Sequence, residues 1–114
     1  MYDKRFALYG AGACGQACYR KLCQTEKERN MVLWIDQEAE KRELECAYPI
    51  SRPDVLVQAE WDVILVAVKS ENMAMQIMDE LAGTYHIART KMCWSQVEHI
   101  PVWDILFPPR HLYK

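Results

Sequence analysis

The chain has 114 residues, a formal net charge of −2, 51% hydrophobic residues and 26% charged residues. These values are ordinary for a globular protein and provide no basic surface, so we expect no nucleic-acid partner. No apolar run approaches the roughly 18 residues that a membrane span needs, and the first five residues leave no room for a signal peptide. The sequence therefore predicts a cytoplasmic protein with one sizeable core.

The cysteines are too few and too irregularly spaced for a disulfide framework or a zinc site. They number five and contain no C-x-x-C pair, at positions 14, 18, 23, 46 and 93. We interpret them as reduced thiols that fill the core, and expect no metal. Cys14 alone carries a second hypothesis, a redox-sensitive thiol in the first turn of a helix.

Three glycines mark the junction between an apolar strand at residues 6–9 and a helix at residues 13–26. Gly10, Gly12 and Gly15 stand as G-x-G-x-x-G. In a dinucleotide-binding unit, the first glycine permits the tight turn and the second lets a pyrophosphate approach the backbone. The third lets the helix lie close to the strand. The junction therefore predicts a phosphate site, with a turn that holds no ligand as the alternative.

The beginning of this helix has no capping side chain, because neither Gly12 nor Ala13 carries an oxygen. The first N–H groups and the positive end of the helix dipole can then hold an anion. Asp36 ends the next apolar run, 31–35, at 21 positions beyond Gly15. A carboxylate there is suited to the hydroxyl groups of a ribose.

The same carboxylate predicts NAD rather than NADP, because it would repel a 2′-phosphate. The nearest downstream bases, Lys41 and Arg42, are expected to lie more than a helical turn away. The charged segment 37–45 is interpreted as a short exposed helix or loop, a solvated crossover rather than a binding surface.

The rest of the chain continues the alternation of strands and helices. Residues 46–50 are predicted as a third strand, confined to the edge of the sheet by Pro49, and residues 55–60 as a short helix. Residues 63–68 are predicted as a fourth strand, buried on both faces, and residues 90–94 as a fifth.

The helix between the last two strands is expected to start at Ser70, as the N-cap, and to end at Gly83, as a C′ glycine. The pattern predicts a three-layer α-β-α domain of the α/β class, with a mostly parallel five-stranded sheet in the order 3-2-1-4-5. We place this domain at residues 1–95 and a distinct tail at 96–114.

The tail is strongly apolar over residues 100–107 and has no clear period. Apolar surface of this extent usually marks an interface. We therefore expect residues 100–113 to mediate a homodimer or a contact with a missing domain.

The segments FALYGAGACGQACYRKL, VLWID, YPISRPDVL and WDVILVAV, in this order, resemble small bacterial Rossmann-like domains. These domains accompany nucleoside-diphosphate-sugar epimerases and dehydratases, sugar transferases and other cell-surface polysaccharide enzymes, and some are called CoA-binding-like. The resemblance covers residues 4–94 and implies binding of NAD, a nucleotide sugar or CoA. Together with the glycine motif, it gives these candidate cofactor-binding residues: Gly10, Ala11, Gly12, Ala13, Cys14, Gly15, Asp36, Ala67, Val68, Lys69 and Ser70.

No catalytic constellation accompanies the glycine motif. None of Tyr9, Tyr19, Tyr48 and Tyr85 starts the Tyr-x-x-x-Lys pattern of epimerases, and His86, His99 and His111 are scattered. We therefore rank a nucleotide-binding module first. An oxidoreductase or epimerase fragment with catalytic residues from another domain is second, and a non-enzymatic regulatory or interaction domain is third.

Overall fold

A computed structural model describes residues 4–46 and 48–94, which form an α/β fold. Within these ranges, the strands are β1 (Phe6–Tyr9), β2 (Met31–Ile35), β3 (Val63–Val66) and β4 (Met92–Trp94). The α-helices are α1 (Ala13–Gln24), α2 (Ala39–Glu43) and α3 (Glu71–Thr84). Short 3-10 helices occupy Glu28–Asn30, Pro53–Val57 and Arg89–Lys91.

The strands form one parallel sheet in the order β2-β1-β3-β4. β1 lies inside the sheet, and its last residue, Tyr9, is in register with Ile35 of β2 and Val66 of β3. Parallel strands share one carboxyl edge, so the residues that follow these three positions are brought together. The fold thereby places the glycine turn beside Asp36 on one side and Ala67 on the other.

A helix covers each face of the sheet. β1 and β3 are buried at every position, and their alternate side chains enter two separate apolar clusters. Cys18 and Leu22 of α1 are spaced one turn apart and pack in the cluster that contains Phe6 and Leu8. The other cluster joins Ala7 and Tyr9 to the buried face of α3, which consists of Ala74, Met78 and Leu81.

The third strand predicted at residues 46–50 is absent from the described residues of that segment, so the sheet described here has four strands rather than five. Ser51 alone forms a parallel bridge to Ile35, at the outer edge of β2. Its N–H donates to Trp34 and its carbonyl accepts from Asp36. Pro49 and Pro53 lack N–H groups on either side, which limits the ladder to this single residue.

The predicted helix bounds also require correction. α1 ends at Gln24 rather than at residue 26. The short helix predicted at residues 55–60 is instead the 3-10 helix Pro53–Val57. The Ser70 hydroxyl caps α3 by accepting from the Met73 N–H at 3.3 Å, as predicted. Gly83, however, lies inside α3, and the left-handed residue beyond its end is His86, at φ 57°.

No helix in the part of the chain that the structure describes is long and apolar enough to cross a membrane. The tail assigned to residues 96–114, with the predicted interface at residues 100–113, lies outside the described residues.

A pair of glycine-to-alanine variants tests the close packing of α1 against β1. A Cβ on Gly15 would lie 1.8 Å from the Gly10 carbonyl oxygen, whereas a Cβ on Gly83 meets no atom within 4 Å. We expect Gly15→Ala to destabilise the fold by at least about 3 kcal/mol, because backbone must move. Gly83→Ala, inside α3, should stabilise it by about 0.5–1 kcal/mol. Urea unfolding measures both, and equal effects would contradict the packing described here.

Candidate functional site

The turn after β1 is held by contacts of Gly10 with its neighbours in the sheet. Gly10 has φ +113°, and its N–H donates to the Ile35 carbonyl at 2.7 Å. Its carbonyl accepts from the buried indole N–H of Trp34, also at 2.7 Å. A Cβ on Gly10 would lie 2.7 Å from the Ala67 carbonyl oxygen. Only glycine combines this φ with this close approach.

Gly12 is the N-cap of α1, and no side chain makes a capping hydrogen bond there, as predicted. A Cβ on Gly12 would come near one side chain only, the Arg42 guanidinium, at 3.5 Å. The backbone at the beginning of α1 is therefore approachable from the cleft. The side chain nearest to it is cationic, which suits an anion.

Asp36 follows β2 and points its carboxylate back to the glycine turn. Oδ2 accepts from the Ala11 N–H and Oδ1 from the Glu38 N–H, both at 2.8 Å. The side chain is 15% exposed. Each carboxylate oxygen has two lone-pair directions, so these two bonds leave acceptor capacity for further donors. Asp36 thus holds the turn and still presents acceptors.

Arg42, on α2, lies much closer to the glycine turn than the sequence predicted. Its guanidinium is surrounded by three carboxylates: Asp36 at 3.9 Å, Glu38 at 3.8 Å and Glu45 at 3.2 Å. The hydrogen bond with Glu45 is the main reason that the pKa of Arg42 is raised. Its Nε is buried and has no hydrogen-bond partner among the described residues. The segment interpreted as a solvated crossover therefore carries a cation into the site.

These groups line a cleft of about 1020 Å³ at the carboxyl edge of the sheet. Its volume lies near the upper end of the range, about 300–1,000 Å³, that small-molecule and cofactor sites occupy. Nine of the predicted site residues line it: Gly10, Gly12, Ala13, Cys14, Gly15, Asp36, Ala67, Val68 and Lys69.

Two predicted site residues are not part of the cleft lining. Ala11 is fully buried, and its contribution is the N–H that it donates to Asp36. The Ser70 hydroxyl is engaged in capping α3. Both residues therefore shape the site without facing it.

The cleft extends past the strand ends to the face of the sheet that α3 covers. Met73, Gln76, Ile77 and Glu80 line it from successive turns of α3, and Tyr9 and Gln37 lie beside them. Gln37 donates through Nε2 to the Glu80 carboxylate at 2.5 Å. Burial, followed by the charge of Glu80, raises the pKa of Tyr9 to about 12, while a hydrogen bond from Gln37 lowers it. This side of the cleft is thus lined by both polar and apolar groups.

The sequence pattern did not identify the residues that α3 and the 37–45 segment contribute. The i, i+3, i+4, i+7 spacing of 73, 76, 77 and 80 defines one face of a helix. This spacing could have indicated that one face of α3 lines a cleft, but not which part of the fold that face points toward.

The described residues contain no group of three or more His, Cys, Asp or Glu side chains arranged to hold a metal ion. No protein-family model, no curated protein and no solved structure matches the chain. The geometry of the cleft is therefore the basis on which a function can be proposed.

The alkaline stability of the protein tests the buried position of Tyr9. The pKa of Tyr9 is about 12 in the folded state against 10 for a free phenol, so its contribution to the free energy of unfolding is complete below pH 10. That contribution, about 2–3 kcal/mol, is lost as the pH rises through about 12. We expect Tyr9→Phe to lose less stability than the wild type between pH 9 and pH 11.5, measured by urea unfolding.

Part of the alkaline loss should persist in Tyr9→Phe, because burial also raises the pKa of Cys18 to about 12 and that of Cys93 to about 11. If Tyr9→Phe follows the wild-type profile, the buried phenol is not responsible.

Proposed function

We propose that this chain is a Rossmann-like dinucleotide-binding domain whose ligand is NAD or a close relative. The observation that carries the proposal is the beginning of α1, free of a capping side chain, at the bottom of a cleft that also contains Asp36. The two groups stand one strand apart, as a linked pyrophosphate and ribose require.

The pyrophosphate is assigned to the Gly12 end of α1. The helix dipole and backbone N–H groups favour an anion there, and Gly12 has no side chain to exclude it. Arg42 places its guanidinium next to the same position. Its Nε is buried, and no described residue accepts a hydrogen bond from it. Guanidinium groups pair well with phosphate oxygens.

The ribose is assigned to Asp36. Its oxygens each accept one backbone hydrogen bond, which fixes their orientation and leaves lone pairs toward the cleft. Ribose hydroxyls are donors that match these lone pairs.

The balance of charges near Asp36 favours NAD over NADP. Arg42 is already paired with three carboxylates within 4 Å of it. A 2′-phosphate would lie against the Asp36 carboxylate itself, whose charge repels it, whereas the proposed pyrophosphate lies at the backbone N–H groups that begin α1. Arg42 lies closer to the site than the sequence predicted, so the proposed preference for NAD depends on the charge of Asp36 and not on the distance of Arg42.

A binding domain of this kind fits a role within, or beside, a cytoplasmic nucleotide-sugar or cell-surface polysaccharide enzyme, as the sequence resemblance implies. In that role the chain positions the nucleotide, and the catalytic groups come from another domain. The same cleft should also be tested with nucleotide sugars and with CoA.

A single methyl group at Gly12 tests the proposed pyrophosphate site. The wild type at an NAD concentration about 100 times the dissociation constant should gain about 2.7 kcal/mol of stability. Gly12→Ala should lose this gain, because the Cβ occupies the space of a phosphate. The stability of the free protein should change by less than about 1 kcal/mol, since the Cβ makes only ordinary contacts. Thermal shift and calorimetric titration measure the two effects.

Gly83→Ala, outside the cleft, is the control for this variant and should keep the NAD response. CoA, a nucleotide sugar and NADP complete the ligand panel. The proposal fails if none of the panel stabilises the wild type, or if Gly12→Ala binds NAD as the wild type does.

Cofactor discrimination tests the charge balance around Asp36. Wild-type protein should bind NADH more tightly than NADPH, and Asp36→Asn should narrow the ratio by about tenfold because one negative charge is removed. Arg42→Ala should weaken both cofactors, and NADPH more strongly. Fluorescence titration of the reduced cofactors gives the ratio.

Lys41→Ala removes a neighbouring exposed cation that does not line the cleft, so its ratio should equal that of the wild type. Tighter binding of NADPH than of NADH by the wild type would contradict the assignment.

A further inference from the structure

A second groove lies at the amino edge of the sheet, opposite the glycine turn. It has a volume of about 530 Å³, and the residues that line it include Arg5, Trp61 and Lys91. Arg5 directly precedes β1, Lys91 directly precedes β4, and Trp61 stands shortly before β3. The length of the strands therefore separates this groove from the cleft. Its volume falls within the range, about 300–1,000 Å³, that small-molecule sites occupy.

Part of the groove is apolar and accessible. Val57, which lines it, is 58% exposed. The ring of Trp61 is half-buried, and its indole N–H donates to the Leu56 carbonyl at 2.8 Å, which holds the ring in place. Ile87 also lines the groove and is almost completely buried. A ligand with an apolar group can therefore cover Val57 and the Trp61 ring and remove both from water.

The charged side chains of the groove differ in whether they are paired. Arg5 is paired, because its Nε lies 3.8 Å from the Asp62 carboxylate, which also accepts from the Arg5 N–H. Lys91 and Glu60 line the groove as well. Neither forms an ion pair with the other or with any other residue that the structure describes. His86 adds an imidazole to the lining. The groove thus presents one cation and one anion whose charges are not compensated within the described residues.

Lys91 is positioned by the ring of Trp61. Its Nζ lies 5.4 Å from the centre of the ring, within the distance of about 6 Å that defines a cation–π contact. This contact leaves the N–H donors on the side away from the ring for hydrogen bonds. A carboxylate in the groove would therefore meet an ammonium that is already placed, which lowers the conformational cost of binding.

The two uncompensated charges distinguish between classes of ligand. A simple anion is attracted by Lys91 but lies in the same groove as the Glu60 carboxylate, and a simple cation meets the reverse situation. A free amino acid carries a carboxylate and an ammonium on one carbon atom, so each of its charges can meet an opposite charge. Its side chain, on the same carbon, is then available for Val57 and Trp61. An internal segment of a polypeptide carries neither backbone charge.

We propose that the groove at the amino edge of the sheet binds a free amino acid with an apolar side chain. The carboxylate pairs with Lys91, the ammonium pairs with Glu60, and the side chain lies against Val57 and the Trp61 ring. This site is separate from the nucleotide cleft, and the inference does not depend on the proposed function.

Calorimetric titration with leucine, isocaproate and isoamylamine tests the proposal, because the three probes share one branched apolar group. Isocaproate is leucine without the ammonium, and isoamylamine is leucine without the carboxylate. Wild-type protein should bind leucine at least about tenfold more tightly than either analogue, since each analogue lacks one charge-assisted hydrogen bond. Lys91→Gln should weaken leucine by about tenfold but not isoamylamine, and Glu60→Gln should weaken leucine by about tenfold but not isocaproate.

Lys41→Gln and Glu40→Gln are the matched controls. They remove the same charges from exposed residues that do not line the groove, and both should bind leucine as the wild type does. Gly12→Ala, which alters only the cleft, should also keep leucine binding. The proposal is wrong if neither leucine nor phenylalanine binds the wild type, or if isocaproate binds as tightly as leucine. Leucine binding that is unchanged in both Lys91→Gln and Glu60→Gln would also overturn it.

Discussion

The backbone of Gly10 is the point on which the fold and the site both depend. Its N–H and carbonyl bond to Ile35 and to the Trp34 indole, its Cα lies against the Ala67 carbonyl, and Gly15 of α1 packs on its carbonyl oxygen. β2, β3 and α1 therefore all meet one residue. A side chain at either glycine would separate these elements, and the open beginning of α1 would no longer face Asp36. The geometry of the proposed phosphate site is in this sense a consequence of close backbone packing.

Asp36 combines a structural role with the binding role proposed for it. A carboxylate that only held the turn would satisfy Ala11 and Glu38 and be covered, whereas Asp36 is 15% exposed and lines the cleft. The two backbone bonds fix its orientation before any ligand arrives. An acceptor that is already oriented loses little conformational freedom on binding. The same bonds that make Asp36 important for the fold thus orient it for the ribose proposed to bind there.

The sequence predicted those features that local chemistry determines. The bounds of β1 and β2 and the start of α1 follow from apolar runs and glycine spacing, and the structure has them at the predicted residues. The predicted end of α3 was wrong. A helix does not have to end at Gly83 when His86 can adopt the left-handed conformation. Arg42 and Glu80 could not be placed, because their positions depend on how α2 and α3 pack against the sheet. Periodicity gives the face of a helix but not its distance from a turn 30 or more residues earlier.

Charge is distributed unevenly along the cleft. At the α1 side, the helix dipole and Arg42 favour anions. At the α3 side, the Glu80 carboxylate favours donors, as its hydrogen bond from Gln37 shows. A nucleotide bound in reverse would place its phosphates against Glu80 and its base over the beginning of α1. The phosphates and the Glu80 carboxylate would then repel each other, and no anion would lie at the N-terminus of α1. For the proposed nucleotide, these charges favour phosphates at the beginning of α1 rather than beside Glu80.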